Sequence, residues 1–156
     1  MFTNFENMHQ LRNTIKFFFL SKGITVKSRN ELKLFINKVI GLEGYKLGAI
    51  NYIFCSDKYL LDINRRYLNH DYYTDIITFD LSISSKVLEA EIYISVQRVR
   101  DNAKEMEVPI KDELLRVMIH GILHLCGYDD KSRKDKSRMR ELEDAYVNKY
   151  KKICST

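Results

Sequence analysis

From Leu114 to Cys126 the chain reads LLRVMIHGILHLC, a run in which only Arg116, His120, Gly121 and His124 are not apolar. A helix that is apolar nearly all round has to be enclosed by other elements, so this run sits at the centre of whatever the chain folds into. Lys111, Asp112 and Glu113 form a polar first turn before it, and Gly127 follows it. Glycine at that place ends helices in the left-handed conformation.

Residues four apart on a helix stand one turn above the other, so His120 and His124 present their rings to the same point. The turn at Gly127 brings residues 128 to 130 back toward the rings. Asp130 is the candidate third ligand, because zinc takes carboxylate oxygen as well as imidazole nitrogen. Three protein ligands leave a position for water, the arrangement of a catalytic site with one Zn2+ per chain. A lone histidine on an apolar helix is more often a core residue, and His9 and His70 have no such company. The pair, the helix stop and the nearby acid together favour metal. Cys126 lies about 200° round the helix from His124 and reads as core. Gly121 costs about 1 kcal/mol relative to alanine inside a helix, which close approach of another backbone or of a substrate would justify. In the HExxH motif of metalloproteases that position carries the general base, so a small zinc peptidase is disfavoured.

The rest of the chain supplies a mixed framework. Thr14 to Leu20 is aromatic and β-branched and predicts a strand. Ser28 and Glu31 read as a capping box for a helix with Leu32, Phe35, Ile36, Val39 and Ile40 at helical spacing, ending at Gly41. A strand is expected over Leu47 to Phe54, then a helix capped by Ser56. Strands over Asp75 to Leu81 and Ala90 to Ser95 follow, with a loop from Ser82 to Glu89 between them. Val96, Val99, Ala103 and Met106 return to helical spacing, Pro109 stops that helix or opens the next, and a last helix runs from about Asp135 to Ile153. The expected fold class is α+β: a small mixed β-sheet packed with helices, with a zincin-like central helix carrying the metal motif. The 156 residues are expected to form one domain over 1–156, burying roughly 68–70% of the unfolded surface.

Three cysteines with no CxxC pair suggest neither a disulfide framework nor a cysteine zinc site, and point to a reducing cytoplasm. The first ten residues lack a basic leader, and Ile15 to Leu20 is too short to span a bilayer, so no membrane role is expected. A net charge of +5 permits a polyanionic partner. Lys131, Arg133, Lys134, Lys136, Arg138 and Arg140 are opposed only by Asp135 in that stretch. A charge run alone is usually a solvated helix face; this one starts where the histidine motif ends.

HGILHLCGYDD, from His120 to Asp130, resembles the signature HGxLHLxGYDH of the YbeY family of rRNA maturation factors, which are metal-dependent endoribonucleases. Thr74 to Phe79 is similar to that family's TDVLSF block, Ala90 to Ser95 to GDIxIS, and Met139 to Glu143 to MxxLE. These blocks keep family order and cover about residues 60 to 145. The resemblance implies a single-strand-specific endoribonuclease acting on the 3′ end of 16S rRNA and in ribosome quality control. It implies as partners rRNA and the small ribosomal subunit, extending to a ribosomal protein and an assembly GTPase. Two positions depart from the family. Asp130 replaces a third histidine, so the ion's net charge falls. Leu68 stands where the family has an arginine after the tyrosine of LNxxYR, while Arg65 and Arg66 leave the helix about 300° and 200° away from it. Candidate RNA contacts are Arg65, Arg66, Lys131, Arg133 and Lys134, with Tyr72, Tyr73 and Tyr128 as stacking candidates and Asp75 as a group behind the ligands or a loop cap. The alternative is a non-catalytic ribosome-assembly factor that binds rRNA and uses the metal as a structural clip.

Overall fold

The computed structural model describes residues 14–155; His9 and the first ten residues lie outside them. Strands β1 (Thr14–Phe19), β2 (Lys46–Cys55), β3 (Ile76–Asp80) and β4 (Val87–Ser95) and helices α1 (Arg29–Leu42), α2 (Asp57–Leu68), α3 (Val96–Glu105), α4 (Ile110–Leu125) and α5 (Arg133–Cys154) follow one another in the expected sequence of types. The sheet order is β1-β2-β4-β3. β1, β2 and β4 run parallel, and β3 is antiparallel on the edge of β4. The fold is therefore mixed α+β, as expected.

Strand alternation sorts side chains to two faces. Ile50, Tyr52 and Phe54 of β2 pair in register with Ala90, Ile92 and Ile94 of β4, and all six are buried in the main core with α1 and α4. On the opposite face Cys55 and Ile77 pack with Leu60 and Ile63 of α2. The Tyr52 hydroxyl donates to the Met118 carbonyl at 3.2 Å, which fixes α4 on the sheet two residues before His120. The apolar circumference of α4 is satisfied as its sequence requires: Leu114, Leu115, Val117, Met118, Ile119, Ile122 and Leu123 are all buried.

Several boundaries differ from the sequence reading. Ser28 makes no side-chain cap; its backbone is left-handed (φ 49°), so the hydroxyl is not aimed at the first turn and the Ser28–Glu31 box does not form. Gly41 lies inside α1, and the reversal falls at Gly44 (φ 86°), where Tyr45 N–H bonds the Ile40 carbonyl. β4 begins at Val87 because Val87 and Leu88 pair with Lys46 and Leu47 beyond the alternating stretch. The capping box that does form joins Ser132 and Asp135, so Asp135 is the acid of the first turn of α5 and not its start. Ser56 caps α2 as expected, accepting from Tyr59 N–H. Pro109 opens α4. Among the described residues no helix is long and apolar enough to cross a membrane.

Candidate metal centre

α4 presents His120 and His124 with ring centroids 4.4 Å apart and planes at 85°. Gly127 (φ 96°) ends the helix, and Tyr128 N–H bonds back to the Leu123 carbonyl. That reversal carries Asp130 to the rings: its Oδ2 is 3.5 Å from His120 Nε2 and 3.4 Å from His124 Nε2. One ligating atom from each of the three lies within 4.8 Å of the others.

Both imidazoles are oriented from behind. His120 Nδ1 is 2.5 Å from Glu143 Oε1, and His124 Nδ1 is 2.9 Å from the Tyr128 carbonyl. A carbonyl only accepts, so His124 carries its proton on Nδ1; the carboxylate favours the same tautomer at His120. The two Nε2 lone pairs then face each other at 2.9 Å with a carboxylate oxygen beside them. Three donors aimed at one point without an intervening cation repel, so the chemistry of this set fits a divalent ion. His120, His124 and Asp130 are the residues that would hold it, two imidazole nitrogens and a carboxylate oxygen being a donor set that zinc accepts.

Glu143 belongs to a buried charge cluster the sequence reading left without a role. Arg116, one turn before His120, donates to Glu143 at 2.8 Å and to Glu113, which is fully buried. Burial pushes the Glu143 carboxyl up, but the hydrogen bonds from His120 and Arg116 and the Arg116 charge outweigh it and hold it below the ordinary value. Asn102 bridges Glu113 to Asp75. Asp75 thus accepts from Asn102, accepts Ser95 N–H at its carbonyl, and lines the same cleft as the three ligands. The MxxLE resemblance had marked Glu143 without a function, and nothing local to its sequence foretells the contact across 23 residues.

The three ligands open into a cleft of about 440 Å³ between α4, the end of α2 and β3. His70, Tyr72 and Leu68 line its rim. His70, which has no partner in sequence, pairs its Nδ1 with the Tyr72 hydroxyl at 3.0 Å. Arg65 pairs with Asp71 on the surface, and Arg66 faces a different groove. Lys131, Arg133 and Lys134 are exposed where the chain leaves Asp130 and enters α5. Tyr72 is exposed at the rim, Tyr73 lies under the Arg98 guanidinium, and Tyr128 is a packing residue whose hydroxyl donates to Glu43 at 2.9 Å. Tyr128 is thus corrected from a stacking candidate: Glu43, which also accepts from Tyr146, ties it to the end of α1. Gly121 is explained neither by a backbone nor by a substrate. A Cβ there would meet Ile76 Cδ1 at 3.0 Å and Ile92 at 3.3 Å, so glycine lets α4 lie close on the sheet. Cys126 is partly buried against the core, as read.

A mixed sheet backed by a helix that offers two imidazoles, completed by a carboxylate from the turn beyond it, defines an α+β protein with a candidate metal centre in an open cleft. Comparison with known proteins gives its family: residues 20–151 match the family model described as Endoribonuclease YbeY, and the chain belongs to that family. A Cytophaga hutchinsonii protein named Endoribonuclease YbeY is 48% identical over 135 residues, 86% of this chain and 94% of that one. A Flavobacterium psychrophilum protein of the same name is 54% identical over 109 residues, 70% of this chain and 77% of that one. A solution structure of a Thermotoga maritima protein superposes with a TM-score of 0.59 at 31% identity, covering 86% of this chain and 88% of that one.

Proposed function

We propose that the protein is a zinc-dependent, single-strand-specific endoribonuclease that matures the 3′ end of 16S rRNA and serves ribosome quality control in the cytoplasm, with rRNA and the small ribosomal subunit as partners. The observation that carries the reading is the convergence of His120, His124 and Asp130 at the floor of the cleft in a chain of this family. An ion bound there supplies a Lewis acid for a phosphoryl oxygen and water acidified enough to act near neutral pH. Two imidazoles and one carboxylate form a donor set that suits zinc better than magnesium.

The remaining work falls to the chain. Glu143 and the Tyr128 carbonyl keep both Nδ1 atoms protonated and the rings fixed, so Nε2 is available at no cost in reorientation. Gly121 provides no side-chain base. Lys131, Arg133 and Lys134 supply positive charge to the phosphates of a strand leaving the cleft past Asp130, and Arg65 and Arg66 meet the strand only beyond the cleft, on the α2 side. The open cleft accommodates a flexible strand whose bases are turned outward, which single-stranded RNA provides.

A specific observation favours the second reading, an rRNA-binding assembly factor with a structural metal. Leu68 lines the cleft where the family's arginine would stand, while Arg65 and Arg66 do not line it. Two measurements decide. Protein purified without chelator is expected to hold about one zinc per chain, lost in His120→Ala/His124→Ala, and to cut a defined rRNA precursor that His124→Ala leaves intact. Absence of metal overturns the zinc enzyme; a folded ligand variant that still supports rRNA maturation in cells selects the assembly factor.

A further inference from the structure

On the far side of α2 and β3 lies a second groove, of about 430 Å³, which the metal ligands do not reach. That volume is within the roughly 300–1,000 Å³ of ordinary ligand sites. Tyr59, Asp62, Arg66 and Tyr67 line it from one stripe of α2, and Phe79, Glu91 and Tyr93 from the sheet. Phe79 stands edge-on between Tyr67 (centroids 6.0 Å, 81°) and Tyr93 (5.8 Å, 88°). Tyr67 is 66% exposed, so its ring is available to a partner. The Tyr93 hydroxyl donates to Glu91 at 2.9 Å, which occupies that carboxylate in part. Asp62 and Arg66, one turn apart, have no hydrogen bond or ion pair with each other or with another side chain among the described residues.

An accessible aromatic ring, and a carboxylate and a guanidinium without hydrogen-bond partners, make a specific set of demands, the Asp62 charge otherwise acting only on the exposed Arg65 beyond the groove lining. The ring takes a flat π-system, the guanidinium takes a phosphate, and the carboxylate takes two adjacent N–H donors. Guanine is the standard base that offers two such donors side by side, N1–H and N2–H; in adenine and uracil the donor group lies between acceptors, and in cytosine the N4 donor adjoins the N3 acceptor. Position supports the same occupant. Leu68, Thr78 and Asp80 line the metal cleft, and their chain neighbours Tyr67, Phe79 and Leu81 line the groove, so the two sites are back to back across the last turn of α2 and the edge strand β3. A strand that crosses this rim brings a base near the cleft into the groove.

We propose that the groove holds a guanine of single-stranded RNA close along the strand to the phosphodiester in the cleft. Its Watson–Crick edge donates to Asp62, its ring lies on Tyr67, and a neighbouring phosphate pairs with Arg66. The proposal rests on RNA being the substrate of the cleft.

Fluorescence anisotropy with short oligouridylates carrying a single internal G, A or no purine tests it on the full-length, metal-loaded protein, with each probe checked for integrity after the reading. The G-containing probe is expected to bind roughly tenfold more tightly than the A-containing one. Tyr67→Ala should weaken it by roughly tenfold. Asp62→Asn is the decisive variant. As a mere source of repulsion Asp62 would weaken all three probes alike, and its loss would tighten all three by one factor; as the reader of guanine its loss collapses the G-over-A ratio toward one. Equal affinity for G and A probes, or a ratio that Asp62→Asn leaves unchanged, overturns the guanine site while leaving the nuclease reading in place. Failure of every probe to bind overturns both.

Discussion

Glu143 Oε1 lies 2.5 Å from His120 Nδ1, while Oε2 of the same carboxylate accepts from Arg116 at 2.8 Å. One buried side chain of α5 therefore fixes the ring of one candidate ligand and neutralises the arginine a turn before it. Groups in this position act on metal affinity by holding ligand orientation and basicity. Glu143→Gln, which keeps the shape, is expected to weaken zinc binding by roughly 10–100-fold in competition with a chromophoric chelator. Glu143→Ala should in addition lose roughly 1–3 kcal/mol in denaturant unfolding, because Arg116, still paired with Glu113, and His120 Nδ1 each lose a buried hydrogen-bond acceptor. Unchanged zinc affinity in the glutamine variant would mean that the helix alone orients His120.

Gly121→Ala tests the contact between α4 and the sheet. Alanine gains about 1 kcal/mol of helix propensity, but its Cβ presses on Ile76 and Ile92 at 3.0 and 3.3 Å. Overpacking of this kind costs about 1–3 kcal/mol, so a net loss of about 1 kcal/mol is expected, read as a melting temperature lower by a few degrees. A higher melting temperature would show that the helix has room to move off the sheet.

Leu68→Arg restores a cation on the cleft rim at a half-exposed position where the fold tolerates it. RNA cleavage is expected to rise by roughly tenfold, since a charge aimed at a phosphate acts most where negative charge develops. Tighter RNA binding without faster cleavage would speak for the assembly-factor reading.

Charge reversal at Lys131, Arg133 and Lys134 tests whether the start of α5 meets the strand. Each phosphate contact contributes about 0.7 to the slope of log affinity against log salt for single strands, so losing three should flatten that slope by about 2. An unchanged slope returns these residues to an ordinary solvated helix face.

Thiol reactivity reports the packing around the centre. Burial first, then the charge of Glu43, pushes the Cys126 thiol up to about 12; burial and then Asp57 do the same for Cys55. Both stay protonated at pH 8, and only the thiolate reacts. Native protein is expected to label rapidly at exposed Cys154 alone, and at all three cysteines in denaturant. Fast labelling of Cys126 in native protein would show that the turn carrying Asp130 opens readily.

What could be read from the chain was whatever short-range spacing controls. The i, i+4 histidines, the glycine that reverses the helix and the acid three residues later act within one turn of backbone, so their convergence follows from local geometry. The same holds for the order of strands and helices, because apolar periodicity reports one element at a time. Tertiary structure decided the rest. Only the packing of α5 against α4 brings Glu143 to His120, only the docking of α4 on β3 and β4 explains Gly121, and only the placing of α2 against the edge strand turns Leu68 toward the cleft and Arg66 away from it. These contacts join residues far apart in the chain, and which of the many apolar and charged groups meet is settled by burial of the whole core, which no local pattern encodes.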